Sequence, residues 1–256
     1  MGENYLFKYN VDMVFCIDAT ASMRPVINTV KNNALNFYHD VTAAMERKGK
    51  HINEMRIRVI AFRDYLADGD SAMMTTDFFR LPEQSKDFER CVKSIHAKGG
   101  GDTPEDGLEA LGYAIKSKWT PGGDKRRNII VVWTDASTHK LGYGKKSPCY
   151  PSGMAESFGE LTSWWGDEQC PGQISDSSKR LVLFAPYEEE WSVVTENWNN
   201  VIHYPSTAGN GLEDLDYKEI IDAIGNSIWF RIMMRNELIR NGKIKIPCSH
   251  QQIKSD

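Results

Sequence analysis

The chain runs to 256 residues, 41% of them hydrophobic, which is enough to bury a large core as one domain or one domain with a tail. Its 31 basic and 35 acidic residues give a formal net charge of -4, so it offers no basic face of the kind that neutralising nucleic-acid phosphates requires, and nucleic acid is set aside as a partner. The five cysteines, Cys16, Cys91, Cys149, Cys170 and Cys248, are an odd number spread over a long chain, which argues against a disulfide framework and for a reducing, cytoplasmic setting.

The amino terminus, MGENYLFKYNVDMVFCID, lacks the basic region and apolar core of a signal peptide and leads into a nearly continuous apolar run at 11–17, the pattern of a strand covered on both faces. Leu6 stands where a myristoylation signal starting at Gly2 carries Ser or Thr, and no apolar run approaches the roughly 20 residues that cross a bilayer, so no membrane association is expected. Ile27, Val30, Ala34, Phe37, Val41 and Met45 recur at helical spacing and predict one helix, closed by Gly49. The alternation in MRIRVIAFRDY, 55–65, predicts a strand with one less buried face, with DFFRL as a short neighbour. A helix over 85–97 turns Phe88, Cys91, Val92 and Ile95 inward, and a second carries Leu108, Leu111, Ile115 and Trp119. The turn TPGGD then leads to NIIVVW, a central strand.

An extended segment, 136–179, is rich in Gly, Ser, Pro and Lys, with a helix where Met154, Phe158, Leu161 and Trp165 recur; insertions of that length in compact folds tend to be functional. RLVLFAP reads as a buried strand, 191–198 as a short helix, VIHY as an edge strand, Asp214 to about Arg240 as a long helix, and 241–256 as a polar tail. Strands alternating with helices predict an α/β fold: a doubly wound, mostly parallel central sheet with one antiparallel edge strand and helices on both faces. One domain is expected over 1–240, with the tail outside it.

In such sheets ligands sit at the carboxyl ends of the strands, which places Asp18, after VFCI, and Asp135, after NIIVVWT, on one rim. Three loops converge there: DATAS with Asp18, Thr20 and Ser22, GGGDTPEDG with Thr103, and WTDAS with Asp135. Carboxylates and hydroxyls without His or Cys suit a hard cation, Mg2+ or Mn2+. Residues two apart in an extended segment point the same way, so Asp18, Thr20 and Ser22 face one point, and the intervening alanines keep the loop narrow.

With these residues in place the chain resembles a von Willebrand factor A domain carrying a metal-ion-dependent adhesion site. The family pattern Asp-x-Ser/Thr-x-Ser matches Asp18, Thr20 and Ser22, its later Thr after a glycine-rich turn matches Thr103, and its later Asp after a hydrophobic strand matches Asp135. The resemblance covers 11 to about 230, and FRDY and TDASTH resemble phrases of intracellular and bacterial members. It implies a Rossmann-like fold, a cation held by these five residues, and one coordination position completed by an Asp or Glu of a protein partner. The function it implies is non-enzymatic: a component of a bacterial intracellular complex of the stress or signalling type.

Other readings stand beside this one. Thr103, followed by Pro104, Glu105 and Asp106, has the composition of a helix start with Thr as the cap; Ser22 suits a cap for the first helix, and Asp135 a turn. AKGGGDTPEDG lacks the lysine of a phosphate-binding loop and does not follow a strand. Asp18 after a buried strand partly matches the phosphotransferase pattern Asp-x-Asp-x-Thr, but Thr20 replaces the second acid, and no His is placed to activate Ser22. Cys149, Cys170 and His139 are candidate zinc ligands without a C-x2-C pair; Trp164 and Trp165 read as a packed helix and Lys145 and Lys146 as a solvated loop, or all four as contacts to a partner at the rim; and Asp64 reads as a surface acid or as support behind the ion's ligands. The alternative functions are a structural or regulatory subunit whose metal site is empty or self-liganded, and a phosphohydrolase using Asp18.

Overall fold

The computed structural model describes residues 7–99, 104–121 and 125–229. The amino-terminal apolar run becomes β1 (Phe7–Asp18), and its alternation sorts the core: Met13, Phe15 and Ile17 pack on one face of the sheet, Val14 and Cys16 on the other, all of them buried. Two helices follow, α1 (Arg24–Asn33) and α2 (Phe37–Glu46), where the apolar spacing predicted one. The Asn33 amide side chain donates to the Thr29 carbonyl at 2.8 Å, competing with the backbone for a helical acceptor, and the chain turns over 34–36. The spacing persists because both pieces lay their apolar residues, Val30 and Val41 among them, on the same core.

Next come β2 (Lys50–Phe62), the single-turn α3 (Tyr65–Asp68), β3 (Met73–Thr75), β4 (Phe79–Leu81), α4 (Ser85–Ser94) and α5 (Gly107–Ile115). β2 starts earlier than its alternating pattern and releases Arg63 and Asp64 at the carboxyl rim, because the Asp64 side chain caps α3 instead of continuing the strand. The chain continues as β5 (Arg126–Trp133), α6 (Phe158–Trp165), β6 (Lys179–Pro186), α7 (Glu189–Asn197), β7 (Val201–Ser206) and α8 (Tyr217–Trp229).

The sheet order is β3-β2-β1-β5-β6-β7, with β4 also paired to β2. β2, β1, β5, β6 and β7 run parallel, and the antiparallel edge expected from DFFRL is built in two pieces, β3 against Ile60–Phe62 and β4 against Met55–Ile57. Helices α1, α2, α4 and α8 cover one face and α5, α6 and α7 the other, the doubly wound arrangement that the order of elements implies. All parallel strands therefore end on one rim, and β1 lies between β2 and β5.

The inserted segment is packed rather than free. Trp164 and Trp165 of α6 are buried, and the ammonium of Lys179, 0% exposed, donates to the carbonyls of Trp165 (2.8 Å) and Gly166 (2.7 Å) and pairs with Asp176 at 3.0 Å. Among the described residues no helix is long and apolar enough to cross a membrane. The part of the last helix expected beyond Trp229, the tail 241–256 and Cys248 lie outside the described residues.

Candidate metal centre

Asp18, the last residue of β1, is fully buried and accepts three hydrogen bonds: from the Thr20 amide (2.9 Å) and Thr20 hydroxyl (2.6 Å) on Oδ1, and from the Thr134 hydroxyl (2.7 Å) on Oδ2. The hydroxyls of Thr20 and Ser22 lie 3.4 Å apart, on one side of the loop as their two-residue spacing predicts. Ser22 then donates to Oδ1 of Asp135 at 2.9 Å, and the Gly211 amide donates to Oδ2 at 2.7 Å. Asp18, Thr20, Ser22 and Asp135 thus form one continuous chain of oxygens across the ends of β1 and β5. Asp135 is 1% exposed and Thr20 4%, whereas Ser22 is exposed and opens the cluster to the surface. Thr103 lies outside the described residues.

The family model described as von Willebrand factor A domain matches residues 12–142, which is half of the chain and contains all five predicted ligands. The chain belongs to the von Willebrand factor A domain family. Over 143 residues it is 27% identical to "Alpha-protein kinase vwkA" of Dictyostelium discoideum, covering 56% of this chain and 21% of that protein, so this chain spans about a fifth of that relative's length. Among solved structures, the pilus adhesin SpaC of Lactobacillus rhamnosus GG is similar over 86% of this chain and 30% of that one, with a TM-score of 0.47 and 12% identity. Proximal thread matrix protein 1 of the mussel byssus is similar over 85% and 48%, with a TM-score of 0.45 and 10% identity.

The electrostatics of this von Willebrand factor A rim are those of a site short of positive charge. Burial pushes the Asp18 carboxyl up to about 6, hydrogen bonds from Thr20 and Thr134 pull it back, and the neighbouring Asp135 charge adds to the rise. Neither Asp18 nor Asp135 has a basic ion-pair partner among the described residues. A divalent cation fits that deficit. A hydroxyl has one proton and two acceptor lone pairs, so Thr20 and Ser22, each donating to a carboxylate, keep lone pairs for an ion. All donors are hard oxygens, the set that Mg2+ and Mn2+ prefer. Among the described residues no three His, Cys, Asp or Glu side chains come together as a metal cage, so any ion here depends on the hydroxyls.

The capping alternatives do not match the geometry. The residue before α1 is Met23, without a side-chain cap, while Ser22 bonds Asp135 instead. α5 begins only at Gly107, after Pro104, Glu105 and Asp106, so the helix start is not where the Thr-Pro sequence suggested. Sequence reasoning missed Thr134, Arg63 and Gly211. For Thr134 the signal is a hydroxyl beside Asp135; for Gly211 it is the glycine pair in TAGNG, far along the chain. Gly211 has φ +59, and a Cβ there would lie 2.2 Å from the Ser22 carbonyl oxygen, so only glycine lets this backbone approach both Ser22 and Asp135.

Asp64 is a correction: it is 2% exposed, not a surface acid. It caps α3 through the amides of Leu66 and Ala67, and its Oδ2 lies 2.7 Å from His139 Nε2. Two further acids are buried beside it at the start of α5. Asp106 accepts from the Tyr65 amide at 2.6 Å, and Glu109 from the Gly142 amide at 2.8 Å and the Tyr150 hydroxyl at 2.9 Å. The zinc candidates are engaged separately: His139 with Asp64, and Cys149 with Asp70 Oδ1 at 2.7 Å, while Cys170 is exposed.

Proposed function

We propose that the chain is a protein–protein interaction module that holds Mg2+ or Mn2+ at the carboxyl rim of its sheet and uses it to take an Asp or Glu side chain from a protein partner. The observation that carries this reading is the pair of buried carboxylates, Asp18 and Asp135, joined through the hydroxyls of Thr20 and Ser22 and lacking a basic partner among the described residues. Membership in the von Willebrand factor A family supports an interaction module. Thr103 is part of the proposed ligand set. The described residues flanking it are tied to the other two loops, for the Ala21 amide donates to Gly99 O at 3.4 Å and the Glu105 amide to Ser137 O at 3.0 Å.

The setting we propose is a cytoplasmic complex of the bacterial type whose phrases FRDY and TDASTH resemble. The kinase activity in the Dictyostelium relative's name belongs to a protein of which this chain spans about a fifth, and the proposed role here is binding, not catalysis. Asp18 lacks the second acid that a phosphohydrolase needs, since Thr20 occupies that position. A second reading is a structural or regulatory subunit whose metal site is empty or self-liganded; the hydrogen bonds that already engage both carboxylates, Asp18 from Thr20 and Thr134 and Asp135 from Ser22 and Gly211, favour it.

Thermal unfolding with and without MgCl2 separates the two. Cation at a hundredfold excess over its dissociation constant contributes about 2.7 kcal/mol, a rise of several degrees in midpoint. The wild type is expected to show that rise, and folded Asp18→Ala and Asp135→Ala variants to lose it. Affinity capture from lysate in Mg2+, in EDTA and with Asp135→Ala tests the partner: a protein retained only by the wild type in Mg2+ supports ion-bridged recognition, and equal retention in all three overturns it.

A further inference from the structure

Arg63 stands just past β2 and is 8% exposed, yet its guanidinium meets no carboxylate within ion-pair distance among the described residues. Every hydrogen bond it makes goes to a backbone carbonyl: Nε to Ala19 (3.0 Å) and Lys98 (2.9 Å), Nη1 to Ser71 (2.7 Å), and Nη2 to His96 (2.7 Å). These acceptors belong to three separate loops, which a planar fork of donors joins where a single ammonium does not reach them all. The Ala19 carbonyl also accepts from the Lys98 amide at 3.1 Å. That carbonyl belongs to the Ala19–Thr20 peptide unit, whose other end, the Thr20 N–H, donates to Asp18 Oδ1 at 2.9 Å. Because a peptide unit is planar, fixing its C=O fixes the direction of its N–H.

We infer that Arg63 is a positioning residue for the metal centre: by clamping the Ala19–Thr20 peptide it sets the orientation of the Asp18 carboxylate and the Thr20 hydroxyl. This rests on the metal reading above. Its charge does not touch the site; its action runs through the peptide, so a residue that keeps the charge and loses the fork does not replace it.

The test uses the full chain, titrated with MnCl2 while free Mn2+ is counted by electron paramagnetic resonance, together with amide exchange at Thr20. Wild type is compared with Arg63→Lys and Arg63→Gln, with folding verified by circular dichroism. Both variants are expected to bind Mn2+ at least tenfold more weakly and to exchange the Thr20 amide faster. A purely structural role lowers thermal stability but leaves the affinity of the folded protein unchanged, and wild-type Mn2+ affinity in folded Arg63→Lys overturns the inference. Should neither variant fold, the wild type alone decides: Mg2+ is expected to slow exchange of the Arg63 Nε proton, and an unchanged rate overturns the inference. A wild type that binds no Mn2+ refutes the metal reading itself, a result distinct from any difference among variants.

Discussion

Replacing Asp106 by Asn isolates the cost of the buried acids at the start of α5. Asp106 is fully buried; its Oδ2 accepts from the Tyr65 amide, and its Oδ1 has no hydrogen-bond partner. Burial first, then the charges of Glu109 and Asp64, push its carboxyl from 3.8 up to about 7. Glu109 is likewise raised, by burial, and its Oε2 is also without a partner. A raised carboxyl means that the folded state holds a proton the unfolded chain has released, so stability falls as pH climbs from about 4 to about 7. Each pH unit in that window costs ~1.4 kcal/mol, and the whole gap amounts to ~4 kcal/mol. Asp106→Asn keeps the shape and an acceptor for Tyr65 but carries no charge. The variant is therefore expected to equal or trail the wild type at pH 4.5 and to exceed it by about 2–4 kcal/mol at pH 8. Urea unfolding of both proteins across that range, without divalent cation, measures the difference. A stability difference that does not change with pH would refute the assignment of the charge to Asp106.

Two further substitutions probe the supports of the rim and of the inserted segment. A Cβ on Gly107 would lie 2.6 Å from the Trp191 ring, which is fully buried and fixed by its hydrogen bond to the Ala136 carbonyl at 3.0 Å. Gly107→Ala is expected to cost about 1–3 kcal/mol in denaturant unfolding, and unchanged or higher stability contradicts that packing. Lys179→Met removes the ammonium that holds two carbonyls of the inserted segment and Asp176. The loss is expected to be about 3 kcal/mol or more, with a wild-type unfolding midpoint as the refuting result.

The parallel sheet was legible because buried strands such as NIIVVW carry apolar residues without a break, and the rim because two of those strands run directly into an acid. Asp18, Thr20 and Ser22 were readable as one group because they lie so close in sequence; the chain bends over Thr20 and Ala21 and turns at Ser22, with the Met23 amide donating to the Thr20 carbonyl at 3.2 Å, and the two hydroxyls still lie 3.4 Å apart. The break between α1 and α2 was not readable, since apolar spacing reports which face is buried and is indifferent to a turn that keeps the face. Arg63 was missed and Asp64 misread because charge in a sequence suggests solvent. Their burial depends on carbonyls and an imidazole brought from residues 19, 71, 96, 98 and 139, which no local pattern contains. Gly211 belongs to the same class: its contact with Asp135 spans 76 residues of chain.

The donor composition of the rim also bears on what approaches it. Two carboxylates balance the charge of a divalent cation, and the remaining ligands proposed here, Thr20, Ser22 and Thr103, are neutral. A third acid in place of one hydroxyl would tighten the hold on the ion but leave the occupied site negative, and a carboxylate arriving from outside would then meet net repulsion. A site with hydroxyls keeps the occupied centre close to neutral, so an incoming Asp or Glu gains its attraction to the ion without that opposition. The hydrogen bonds from Thr20 and Ser22 contribute a second property. Each hydroxyl proton is directed to a carboxylate, which leaves the lone pairs free for the proposed ion. Arg63 extends that arrangement outward, from the oxygens to the peptide that aims them.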